Sequence, residues 1–119
     1  MAALRADIVG TYLVEGVRPE TGEPYRGSVT IERIGEKYAV TWDIEGSERV
    51  GVGLGGAFSG GNFMVGPAHP DDLMITIGFR DGDVTGIATM FWQDTREYEG
   101  FYVEPDKDIA GFEIWSIDD

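Results

Sequence analysis

The chain has no cysteine. Disulfides, thiolate metal sites and cysteine nucleophiles are therefore excluded together. Positive charge is scarce: 9 basic residues stand against 22 acidic ones, for a formal charge of −13. Nucleic acid and anionic membranes would be repelled rather than steered in, so neither is expected as a partner. The acidity reads first as solubility, with binding of a cation or a basic protein as the alternative. Long apolar runs are missing too. Nothing approaches the roughly 18 residues of a membrane span, and the opening MAALRADIVG lacks the apolar core of a secretion signal. A cytoplasmic location is expected, although a signal trimmed earlier would leave no trace. Helical periodicity is the last absence, because no window sustains apolar residues at i, i+3, i+4 and i+7.

What the chain does have is alternation. Its 119 residues suit a single domain, 1–119, large enough for a core of its own. Apolar and polar residues alternate near Ile8–Gly16, Tyr25–Arg33, Tyr38–Ile44, Arg49–Leu54, Asn62–Val65, Leu73–Phe79, Val84–Trp92, Tyr98–Val103 and Gly111–Ile117. Turn-rich segments such as GE, EGS, SGG, GPAHPDD, DG and EPDKD lie between them. Connections this short favour a sequential antiparallel meander.

Two hairpins can be set in register. With Gly35-Glu36 as a II′ turn, Ile34 faces Lys37, Ile31 faces Val40 and Val29 faces Trp42. One face then carries Tyr25, Gly27, Val29 and Ile31 against Tyr38, Val40, Trp42 and Ile44; the other is polar. With Asp81-Gly82 as a I′ turn, Phe79 meets Val84, Ile77 meets Gly86 and Ile75 meets Ala88. Eight or nine strands without a helix must hide their edges. The expected fold is all-β, an antiparallel up-and-down barrel of about eight strands, with a β-sandwich as the alternative. Glycines within strands, such as Gly27, Gly86 and Gly100, suit the coiling of a small barrel. TGEPYRGSV and TREYEGFYV echo one another, each with Tyr-x-Gly at a strand start, which reads as barrel construction.

The opening Ile8-Val9-Gly10-Thr11-Tyr12, followed by a meander, resembles the start of calycin-type barrels such as avidins and lipocalins. That resemblance implies an eight-stranded barrel holding a small ligand in its mouth. Here tyrosine stands where those families carry tryptophan, and the last strands lack the arginine that lipocalins pack on that ring. The pattern from Gly10 to Gly46 also resembles a group of small uncharacterised bacterial proteins, with a Gly-x-Tyr-x-Val-x-Gly opening and a Tyr-x-Val-x-Trp hairpin.

Residues that could carry chemistry are few. His69, the one histidine, stands between prolines beside Asp71 and Asp72, with no serine near to activate. Carboxylates at Asp71-Asp72, Asp81 and Asp83, Glu104 to Asp108 and Asp118-Asp119 do not match an EF-hand spacing, so no metal or other cofactor is expected. GVGLGGAFSGG lacks the Gly-Lys-Ser/Thr ending of a phosphate loop. It does bear on the interior: either Gly51 and Gly53 face inward beside Trp42, or Val52 faces Trp42 and fills the space. Burial of Val50, Val52 and Leu54 favours the filled register.

Three functions follow from this reading. In the first, the barrel is non-enzymatic and binds a small apolar or aromatic ligand: Tyr38, Trp42 and Trp92 line it, Tyr25 and Tyr98 stand near the rim, and Arg33 or Arg49 meets a negative group. In the second, a filled barrel self-associates, as a dimer for example, through outward Met74, Ile87 and Phe91 or the terminal strand GFEIWSI. The third is an enzyme using His69 with Asp71 or Asp72.

Overall fold

A strand that alternates apolar and polar residues needs a core on one face only. The computed structural model, which describes residues 7–93 and 96–117, supplies that core by closing the sheet on itself. Its strands are β1 (Gly10–Val17), β2 (Pro24–Ile34), β3 (Lys37–Ile44), β4 (Ser47–Ser59), β5 (Asn62–Gly66), β6 (Met74–Asp81), β7 (Val84–Gln93), β8 (Glu97–Val103) and β9 (Gly111–Ile117). Eight of them close an antiparallel barrel in the order β1-β2-β3-β4-β6-β7-β8-β9, with β9 returning to β1. The meander barrel expected from the sequence is the fold. β5 stands outside the ring and, among the described strands, pairs only with the far end of β4, from Gly55↔Gly66 to Ser59↔Asn62. Asp118-Asp119 and Thr95 of the second Tyr-x-Gly element lie outside the described residues.

The turns set the register. Gly35, at φ 63°, opens the β2–β3 turn, and Ile34↔Lys37, Ile31↔Val40 and Val29↔Trp42 pair as the sequence predicts. The β6–β7 hairpin keeps its expected faces but slides by two residues. Its turn is Gly82-Asp83, so Phe79 pairs with Gly86 rather than with Val84. The slide seats the Phe79 ring on Gly86, where an added β-carbon would fall 2.4 Å from Phe79 Cζ.

The β3–β4 register overturns the filled arrangement built on Val52. Ile44 pairs with Ser47 around Glu45-Gly46, both at positive φ (53° and 88°), the signature of a I′ turn. Trp42 therefore faces Arg49, Val40 faces Gly51 and Tyr38 faces Gly53. Val50, Val52 and Leu54 turn outward, 41%, 56% and 45% exposed. The reason is space. A β-carbon at Gly51 would lie 2.6 Å from Ile77 Cγ2, and one at Gly53 would lie 2.6 Å from the Thr76 carbonyl oxygen. Only glycine fits the inner face of β4 here, so the larger residues must face out.

The terminal strand has no free edge, because β9 pairs with β1 on one side and β8 on the other. Met74 does face outward, yet it is buried. Its Cε and the Phe63 ring both lie within 3.0 Å of the β-carbon that Gly56 lacks, so the β4–β5 hairpin covers it. Of the outer residues expected to be free, Ile87 and Phe91 remain exposed.

Glu45 holds a left-handed conformation that costs an L-residue roughly 1–2 kcal/mol and that Asn tolerates better. Glu45→Asn is expected to raise stability by about 0.5–1 kcal/mol in urea denaturation, even after loss of the exposed Arg18–Glu45 ion pair at 3.1 Å.

Candidate functional site

An eight-stranded barrel is just wide enough for side chains to fill, and here they do. Trp42, Trp115, Tyr38 and Tyr98 have no exposed surface. Three inward glycines, Gly16, Gly86 and Gly111, are seats on which rings lie. An added β-carbon would fall 2.3 Å from Tyr25 Cζ at Gly16 and 2.2 Å from Tyr102 Cζ at Gly111.

Two polar clusters sit inside. The larger surrounds Glu113, which the β9 alternation turns inward between Gly111 and Trp115. Glu113 Oε1 accepts from the indole N–H groups of Trp42 (3.0 Å) and Trp115 (2.9 Å). Oε2 accepts from Arg49 Nη1 (3.0 Å) and from the Tyr25 hydroxyl. The Tyr25 oxygen lies 3.1 Å from the Tyr102 hydroxyl. The Arg49 guanidinium is enclosed by rings, 5.0 Å from the centroids of Trp42 and Phe79 and 5.4 Å from that of Tyr102. Burial alone would lower the Arg49 pKa, but the Glu113 carboxylate overrides it and holds the group charged, above its ordinary value. Burial, reinforced by the Glu113 charge, pushes the Tyr25 hydroxyl far up, and burial also raises Tyr102. Each Glu113 oxygen takes two donors, so its lone-pair sites are full and none is left to accept a substrate proton.

The smaller cluster closes the other end. The loop after β5 crosses beneath β4, and buried Asp72 accepts from the Tyr38 hydroxyl (2.6 Å) and the His69 backbone N–H (2.9 Å). Burial and then the Asp72 bond raise the Tyr38 pKa. His69 Nδ1 accepts from the Asp71 backbone N–H at 3.1 Å, and both side chains are exposed. His69, Asp71 and Asp72 are thus parts of one closing loop, with the two carboxylates directed apart.

The residues singled out from sequence divide between the ends. Tyr25, Trp42 and Arg49 meet around Glu113. Tyr38 meets Asp72, and Arg33 forms a two-bond ion pair with Asp7 (2.7 and 2.8 Å). Tyr98 is central rather than at the rim, and half-buried Trp92 rests on it with ring centroids 5.2 Å apart. Glu113 was missed. Its signal is a lone charge at an inward position in GFEIWSI, but both faces of that strand carry apolar residues, so parity alone does not expose it.

Outside, the register lines Val52, Gly78, Ile87 and Val103 in one row across β4, β6, β7 and β8. Thr76 and Thr89 fill the next row between Leu54 and Phe101. A shallow cleft of about 490 Å³ lies over Gly78 between Val52 and Ile87. The opposite wall, on β1 to β3, instead presents Glu15, Arg26, Glu32 and Asp43.

No family model matches the chain, and no curated protein matches it. Among solved structures, a redesigned β-barrel, mFAP1, bound to DFHBI is similar over 94% of this chain and 99% of its own, with TM-score 0.62 and 12% identity. That likeness shows the fold.

The buried tyrosines set a pH limit. Unfolded tyrosine ionises near pH 10, whereas Tyr25 stays protonated well above that in the fold. Above about pH 10 the folded state therefore binds more protons, and stability falls by about 1.4 kcal/mol per pH unit for each such group. Below pH 10 the contribution is fully present. Denaturation midpoints are expected to drop through the alkaline range, with a flatter slope in Tyr25→Phe; a slope identical in that variant would contradict the assignment.

Proposed function

We propose that the protein is a non-enzymatic, filled β-barrel that associates with a second copy of itself through its outer apolar wall. One observation carries this reading: Val52, Leu54, Ile87, Phe91, Phe101 and Val103 stand exposed on one side of the barrel, while charged side chains gather on the other. Monomers rarely expose contiguous apolar patches beyond a few hundred Å². A second copy fits because the wall carries few charges, with Lys37 the one charged residue lining the cleft over Gly78. In a chain of net charge −13, no Asp, Glu, Lys or Arg occurs from Gly51 to Pro70, so two copies can meet there without bringing their acids together. Arg80 and Glu99 stand at opposite margins of the wall, in its first and last rows.

A second reading keeps a small aromatic ligand at the Arg49 end. The fold shared with a barrel bound to DFHBI supports it. So does one local feature: buried Arg49 Nε has no hydrogen-bond partner, only Asp81 at 3.9 Å. The filled interior weighs against it, since rings would have to move before a ligand entered.

Sedimentation across micromolar to millimolar concentrations, with a DFHBI titration of tryptophan fluorescence, separates the two. The expected result is a concentration-dependent dimer, lost in the Val52→Lys/Ile87→Lys variant, and no saturable response to DFHBI. A monomer at every concentration would refute self-association, and a saturable fluorescence change would favour the ligand reading.

A further inference from the structure

Among the described strands, β5 is the one paired along a single side throughout its length. β5 pairs with β4 and with no other described strand. Its hairpin turns at Gly60-Gly61, both at positive φ (60° and 85°), so the flanking pair Ser59↔Asn62 is hydrogen-bonded. Antiparallel ladders alternate, and Ala57↔Met64 and Gly55↔Gly66 are the next bonded pairs. Phe63 and Val65 therefore point their backbone N–H and C=O groups away from β4. An open strand edge of this kind is a template for another strand. Two of the devices that usually blunt such an edge, charge and proline, are missing. Asn62-Phe63-Met64-Val65-Gly66 has no charge and no proline, and Phe58, Met64 and Val65 around it are 69%, 57% and 53% exposed.

We infer that this edge is the seam of self-association: two copies join antiparallel along β5, about a two-fold axis through Met64. The inference rests on the self-association reading and names where the copies meet. The free groups belong to Phe63 and Val65, one residue on each side of Met64, so the strand is complementary to itself. Phe63 of each copy exchanges both backbone hydrogen bonds with Val65 of the other, and Met64 faces its own counterpart in the unbonded pair between them. No other segment needs to be supplied. The missing charge removes the repulsion that an acidic chain would otherwise bring to such a seam. The seam also continues the apolar wall, since the Phe63 ring lies 5.2 Å from Phe58 and 5.8 Å from Phe91. A strand this short does not hold a dimer by itself, and the adjoining wall supplies the buried area.

The test uses the absence of native cysteine. In the inferred dimer the two residues at position 64 have α-carbons about 4.5 Å apart, within disulfide reach. The two residues at position 62 lie about 14 Å apart, beyond it. Met64→Cys is therefore expected to form an interchain disulfide under mild oxidation at least about tenfold faster than Asn62→Cys. Val65→Pro removes an outward N–H and leaves the β4 pairing intact. It is expected to keep the circular dichroism of the parent and weaken the dimer about 30-fold. If wild type dimerises but Met64→Cys links no faster than Asn62→Cys and Val65→Pro dimerises normally, the seam is elsewhere and only the wall reading survives. If wild type never dimerises, both are lost.

Discussion

The Glu113 carboxylate is the point on which the interior depends. A buried carboxylate is tolerated only when it is paired and its lone pairs are occupied. Here the four donors come from Tyr25 on β2, Trp42 on β3, Arg49 on β4 and Trp115 on β9. Strands from different parts of the wall are thereby tied to one side chain. Each indole finds its acceptor, and Arg49 finds a counter-charge in a ring-lined space that would otherwise reject it. Removing one partner would strand the others, so the network specifies one arrangement of the core more than it adds net stability.

That arrangement also limits what the barrel can do. Rings lie on Gly16, Gly86 and Gly111, a loop crosses one end, and the Arg49 cluster fills the other. Chemistry inside would need an acceptor that is not already occupied. Apolar surface is found instead on the outside, where the register puts β-branched and aromatic residues in rows across β4, β6, β7 and β8. The same geometry explains both facts, because at Gly51 and Gly53 the inner face of β4 has room only for glycine and the neighbouring valines and leucine must face outward.

Most of the architecture was legible in the chain. The Gly35-Glu36 hairpin could be set residue by residue, since turn chemistry and facing side chains agree there. The face of the β6–β7 hairpin was also legible, but its register was not: the seat that Gly86 gives Phe79 is a tertiary contact that no local pattern announces. At β4 local reasoning failed outright. Burying Val50, Val52 and Leu54 is locally favourable, and the opposing fact, the closeness of Ile77 and Thr76, belongs to a strand some 25 residues away. The site was partly legible for a similar reason. Tyr25, Trp42 and Arg49 could be named one by one, whereas the carboxylate that gathers them lies about 70 residues along the chain in a strand whose two faces look alike.

The central claim is that Glu113 holds both indoles in a closed, filled interior. Hydrogen exchange of the indole N–H groups of Trp42 and Trp115, followed by NMR, tests this most directly. The account predicts that both exchange only through global unfolding, at a common rate, while the half-buried Trp92 exchanges faster. Rapid exchange of either Trp42 or Trp115 under native conditions would mean that water reaches the carboxylate, and the filled-barrel account would be wrong.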